Sequence, residues 1–253
     1  MLRRFFSLQM TVKPSPPTVE RLQLMLAGEM REVCLRRTSK TQRYTLRLKP
    51  GTRQLVVTMP SRGTISQARS FLTRHESWLE ARVNALPEKI LFTHGSIIPF
   101  QGEMHTITHM SSAKGTVWLD KDGDIPVLKV AGYEEHIARR VTDFLKRSAK
   151  EKLTEVTHKY AAKLDVTILR ISIKDTTSRW GSCSSQGAIA YSWRIIMAPH
   201  YVLDYLAAHE VTHRREMNHS SRFWTLLRSI CSETDRAELW LKKHGRSLHE
   251  YGS

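Results

Sequence analysis

The sequence predicts an α+β protein in which a β-rich N-terminal half leads into a helical half, and three observations carry that prediction. Residues 43–60, RYTLRLKPGTRQLVVTMP, alternate apolar and polar side chains on both sides of Pro50 and Gly51, as two paired strands joined by a turn do. Apolar residues from Ile137 to Leu164 recur at intervals of three and four, the stripe of one long helix. Finally, the run HEVTHRREMNH, residues 209–219, sets three histidines behind an apolar helical stretch, with Glu210 beside the first of them.

Taken in chain order, residues 1–35 read as a basic, flexible tail. The first nineteen hold no acid and carry Arg3, Arg4 and Lys13, and their modest serine content suits a tail better than a targeting leader. Residues 36–131 are expected to form a β-rich region with one helix. After the hairpin, Ala68, Phe71, Leu72, Trp78, Leu79, Val83 and Leu86 keep helical spacing behind Thr64 and Gln67, which are placed as a capping box. A single helix of about five turns is expected there. Short strands are expected at 96–99, 105–109, 117–119 and 125–130, with turns at Gln101-Gly102 and Asp122-Gly123.

Residues 132–253 form the helical half. The long helix carries Ile137, Val141, Phe144, Leu145, Leu153, Val156, Tyr160 and Leu164 on one face. Strands at 166–173 and 188–196 flank a polar loop at 174–187, and Pro199 suits the first turn of the next helix, where its missing amide proton is not needed.

Composition narrows the function classes. Lys and Arg number 40 against 24 Asp and Glu, a formal charge of +16, which suits nucleic acid, a nucleotide or an anionic surface, or simply a solvated basic face. Residues 1–50 hold 11 basic and 3 acidic side chains, without the aromatic interleaving or finger motif of a nucleic-acid reader. Cys34, Cys183 and Cys231 are far apart and odd in number, which supports neither a disulfide framework nor a CxxC zinc site and fits a reducing, cytoplasmic setting. The most apolar stretch, 195–208, is broken by Pro199, His200 and Asp204, so no membrane span is expected.

On a helix His209 and His213, four apart, present imidazoles on one side, and Glu210 is rotated by one position so that it can hold a water beside a shared ion. That is the logic of the HExxH motif of metal-assisted hydrolases. A catalytic zinc typically takes three protein ligands, and His219 is the nearest third. Its distance from His213 requires the helix to end between them, with Asn218 as the residue able to take a left-handed conformation and Ser220 or Ser221 capping a short helix that carries Phe223, Trp224, Leu226, Leu227 and Ile230.

RWGSCSSQGAIAYSWRIIMAP (179–199), followed by YLAAHEVTHRREMNHSSRFW (205–224), resembles the YgjP-like metallopeptidase family, relatives of the SprT-type and Wss-type zinc proteases. The likeness is strongest from Tyr160 to Leu248. It implies a zincin-like catalytic domain at 132–253, Zn2+ held by His209, His213 and His219, Glu210 as general base, and a peptide or protein substrate. In such folds a sheet edge beside the metal helix holds an extended substrate, and Ala188–Ile195 is the expected edge. Arg179, Trp180, Tyr191 and Arg194 are the expected substrate contacts, although the arginines suit a structural role equally well and the tryptophan suits packing better. Tyr191, Arg194 and His200 are all candidates for stabilising an oxyanion. Two other readings stay open: a nucleoside triphosphate (UTP) pyrophosphohydrolase, which the family resemblance also admits, and a nucleic-acid-associated binding module or protease acting through the basic surface.

Overall fold

A computed structural model describes residues 19–26, 28–49, 53–86 and 88–252, which fall into two compact units, one ending at Leu86 and the other made of the described residues after it. The first unit is a four-stranded sheet of β1 (Val19–Leu26), β2 (Glu29–Thr38), β3 (Thr45–Lys49) and β4 (Gln54–Pro60) in the order β1-β2-β4-β3. The two expected paired strands are present as the antiparallel β3–β4 pair, the turn expected at Pro50 and Gly51 lying outside the described residues, and β2 runs parallel to β4. Leu22, Leu26, Val33, Leu35, Leu55, Val57 and Met59 form its core with Ala68, Leu72, Leu79 and Val83.

Two expectations are corrected in this unit. Over the described residues 19–26 and 28–35 the chain is not a tail: β1 and β2 are an antiparallel pair that buries Leu22, Leu26, Val33 and Leu35. In VERLQLML the leucines fall at 22, 24 and 26 with exposed Gln23 and Met25 between them, a period of two that the basic composition conceals. Residues 1–18 lie outside the described residues. The single helix of about five turns is instead two, α1 (Ile65–Arg74) and α2 (Glu76–Asn84), separated at His75 with φ −114° and ψ 13°. The His75 ring packs on Phe71 with centroids 4.5 Å apart, and the new ends are complemented by charge, Arg74 closing α1 and Glu76 opening α2. The capping box is present as read, Thr64 accepting from the Gln67 backbone while the Gln67 side chain accepts from the Thr64 N–H.

The second unit begins before the boundary expected near residue 131, because its first sheet packs with the long helix. That sheet comprises β5 (Ile97–Phe100), β6 (Glu103–Met110), β7 (Val117–Asp122) and β8 (Ile125–Ala131), in the order β5-β6-β8-β7. Buried Ile98, Ile107, Leu128 and Val130 share one core with α3 (Ile137–Leu164), through Ile137, Val141, Leu145, Ala149, Leu153 and Val156.

After α3 ends at Asp165, in the left-handed conformation with φ 48°, a three-stranded sheet follows: β9 (Arg170–Lys174), β10 (Gly181–Cys183) and β11 (Ala188–Ser192), in the order β10-β11-β9. A 3-10 turn at Trp193–Met197 leads to α4 (His200–Thr212), and α5 (Ser221–Ile230), α6 (Thr234–His244) and a closing 3-10 turn at Gly245–His249 complete the unit. The overall class is α+β, with a β-rich N-terminal half.

The start of α4 is set by the first sheet of this unit. Between β5 and β6, Gln101 and Gly102 both have positive φ, the two-residue turn that joins twisted strands. The Gln101 N–H donates to the Ile196 carbonyl at 2.8 Å, and a side chain at Gly102 would meet Pro199 Cα at 3.0 Å. Pro199 is the N-cap of α4. The far end of α4, held through buried Val202, Leu203, Leu206, Ala207 and Val211, carries the histidines.

Candidate metal centre

His209 lies in the last turn of α4 and His213 is its C-cap. The chain then reverses through residues pinned to the end of α3. Arg215 donates to the Leu164 carbonyl through Nε at 3.1 Å and Nη2 at 2.7 Å, and Nη2 also reaches Asp165 O at 3.0 Å. Arg214 donates to the Thr167 and Ser185 carbonyls. Asn218 is not left-handed; among the described non-glycine residues only Arg53, Gln101 and Asp165 have positive φ. The reversal is made instead by Arg214, Arg215 and Glu216, whose N–H groups donate to the Val211 and Thr212 carbonyls. Ser220 is the N-cap of α5, as the spacing predicts, but its hydroxyl makes no capping bond.

This reversal brings His209, His213 and His219 together. Their ring centroids are 4.7 to 5.0 Å apart, one nitrogen from each lies within 4.8 Å of the others, and Nε2 of His209 is 3.0 Å from Nε2 of His219. Neighbouring nitrogens around a tetrahedral zinc, at about 2.1 Å from the ion, stand roughly 3.4 Å apart, so the three imidazoles fit such an ion. Phe223, fully buried on α5, lies under all three rings, with centroids at 4.9 Å from His209 and 4.7 Å from each of the others. The sequence placed Phe223 on an apolar helix face; nothing in its spacing shows that this face supports the histidines.

The electrostatics favour lone pairs over protons. Burial, followed by the charges of His213 and His219, pushes the His209 pKa down to about 3. Burial also lowers that of His213, against the opposing hydrogen bond of its Nδ1 to the Glu216 carbonyl at 3.0 Å. That bond places the proton on Nδ1 and leaves Nε2 free as a donor to an ion.

Glu210 is 4% exposed, and burial raises its carboxyl pKa to about 8, with Arg179 pulling the other way. Strand β10 presses directly on it. A Cβ added at Gly181 would stand 2.3 Å from Glu210 Oε1, so the glycine allows contact between strand and carboxylate. Burial and the Glu210 charge push the neighbouring Cys183 thiol up to about 11, the opposite of an activated nucleophile.

The other expected site residues separate clearly. Arg179 is exposed just before β10 and within electrostatic reach of Glu210. Trp180 is partly buried and stacks on His249 with centroids 4.9 Å apart. Tyr191 is buried beneath the sheet, its hydroxyl 2.9 Å from Thr157 Oγ1. Arg194 is 5% exposed and committed to Asp175, through Nε at 2.8 Å and Nη2 at 3.2 Å, and to the Leu248 and Tyr251 carbonyls. Tyr191 and Arg194 are therefore internal supports rather than groups that face a substrate. His200 begins α4, 13 residues before His213, which at the helical rise is roughly 20 Å from it.

The expected edge strand is also corrected. β11 is the central strand, parallel to β9 on one side and antiparallel to β10 on the other, and it ends at Ser192 rather than at residue 195 or 196. The edge beside α4 is β10, whose three residues, Gly181–Cys183, are too few to show alternation within a polar loop.

An HExxH helix, a third histidine delivered by a chain reversal and an edge strand against the intervening glutamate define a metallohydrolase-type protein. The family model described as YgjP-like, metallopeptidase domain, matches residues 42–244 of the 253, and the chain belongs to that family. A search of curated proteins gives no match to the chain.

Proposed function

We propose that the protein is a zinc-dependent peptidase in which His209, His213 and His219 hold Zn2+ and Glu210 is the general base. The observation that carries the reading is the convergence of the His209 and His219 Nε2 atoms, 3.0 Å apart, in the helix turn beside a buried Glu210. Bound there, zinc supplies Lewis acidity toward a carbonyl oxygen and a water of lowered pKa. Glu210 takes a proton from the attacking water on a carboxylate oxygen and returns it to the leaving amine nitrogen.

An extended peptide is the substrate class that the surroundings suit best. β10 pairs with β11 on one side and ends the sheet on the other, so its backbone is placed to pair with a peptide next to Glu210. Arg179, exposed just before β10, suits contact with a substrate carbonyl or carboxylate, and Trp180 holds the same loop through His249. A strand edge recognises backbone rather than phosphate, which favours peptide over UTP or nucleic acid. A cytoplasmic setting is supported by the free thiols of Cys34, Cys183 and Cys231, and no helix among the described residues is long and apolar enough to cross a membrane.

Glu210→Gln tests the reading. The variant is expected to keep its zinc and lose peptide hydrolysis by about 10²–10⁴-fold. Cleavage at the parent rate by a zinc-loaded Glu210→Gln protein would overturn it.

A further inference from the structure

We infer that Tyr205 and Glu238 are positioning residues that fix the proton of His209 and thereby aim its Nε2 at the metal; this rests on the three-histidine reading above. Tyr205 lies one turn before His209 on α4, where residues four apart share a face. Its hydroxyl is 3.4 Å from His209 Nδ1 and 3.2 Å from Oε1 of Glu238, which belongs to α6. The two rings meet edge to face with centroids 5.7 Å apart.

The direction of these bonds follows from counting protons. A phenol has an ordinary pKa of about 10, so at neutral pH Tyr205 keeps its one proton. A carboxylate can only accept, so that proton goes to Glu238. The tyrosine oxygen is then left with lone pairs toward His209, and Nδ1 must be the N–H that donates to them. Nε2 is thereby left with the lone pair, on the side where His219 Nε2 stands at 3.0 Å. The same tautomer is imposed on His213 by the Glu216 carbonyl. Each of the two α4 histidines thus has its outer nitrogen assigned by a separate acceptor, and for His209 the assignment reaches across to α6.

The arrangement makes α6 a contributor to metal retention without supplying a ligand. Replacing the partner of a ligating histidine typically costs 10–100-fold in metal affinity. Zinc affinity by chelator competition, measured on the full chain, is therefore expected to weaken about 10–100-fold in Tyr205→Phe. Glu238→Ala frees the phenol proton to turn toward Nδ1 and is expected to weaken binding in the same direction. Glu238→Gln keeps an acceptor oxygen and is expected to restore near-parental affinity. Metal-free melting temperatures of the variants should match the parent, and the visible spectrum of the cobalt form should shift in Tyr205→Phe. Parental zinc affinity in both Tyr205→Phe and Glu238→Ala would overturn this inference while leaving the metal site intact. A parent protein that binds no zinc would instead remove the three-histidine reading, and this inference with it.

Discussion

The α-carbon of Gly181 rests on the carboxylate of Glu210: a methyl group added there would stand 2.3 Å from Oε1 and 2.8 Å from Cδ. Gly181 is absent from the glycines with positive φ, so its requirement is one of space and not of backbone conformation. Gly181→Ala must push Glu210 or β10 aside. Misplacing a reacting group by about 1 Å costs on the order of 10²-fold in rate, which is the expected fall in kcat for this variant. Its zinc content should stay at the parental level, since His209, His213 and His219 are untouched. Parallel measurement of kcat and bound metal checks this, and an unimpaired kcat would show that the contact does not set the position of the base.

Phe223 carries the three imidazoles, and its removal is expected to act on both stability and metal binding. A fully buried Phe→Ala change costs about 3–5 kcal/mol, here in the metal-free protein, because Phe223 is 0% exposed beneath the histidines. Urea unfolding of metal-free parent and Phe223→Ala reads the first effect, and chelator competition reads the second. A variant with parental stability would contradict this packing.

Asp175 and Arg194 tie the loop before β10 to the C-terminal segment, and their pairing predicts a pH dependence. Burial alone would raise the Asp175 pKa, but the hydrogen bond and charge of Arg194 more than offset it, leaving it below the usual 3.8. A depressed carboxylate stabilises the folded state above its unfolded pKa, and that stabilisation is lost as the pH falls through the folded value. The His249 pKa is lowered by burial and by Arg194, so its protonation in acid acts in the same direction. Acidification below about pH 4 should therefore loosen the contact of His249 with Trp180. Tryptophan fluorescence and limited proteolysis at the C-terminus report it. Asp175→Asn should show the same loosening at neutral pH; a variant that matches the parent there would contradict the pairing as the cause.

The grouping of the histidines was legible because a spacing of four on a helix is a geometric statement, and because the distance to His219 forces a reversal. How the chain reverses was not legible, since Arg214 and Arg215 act on carbonyls at Leu164, Asp165, Thr167 and Ser185, far away in sequence. For the same reason Arg194 and Tyr191 read as substrate contacts: their residue types suit that role, and only the fold shows Asp175 and Thr157 taking their polar atoms. The β3–β4 pair announced itself through alternation, and α3 through its stripe. β10 did not, because three residues carry no period, and β1 was hidden by a composition-based reading of a segment whose leucines alternate. The break at His75 leaves the apolar spacing of α1 and α2 continuous, so periodicity alone shows one helix.

The central claim is that His209, His213 and His219 bind one metal ion together, and the most direct test is zinc per chain by elemental analysis in the purified parent and in His219→Ala. About one zinc is expected in the parent, as in a three-ligand catalytic centre, and its loss is expected in the variant. Equal zinc in both proteins, or none in the parent, would contradict it.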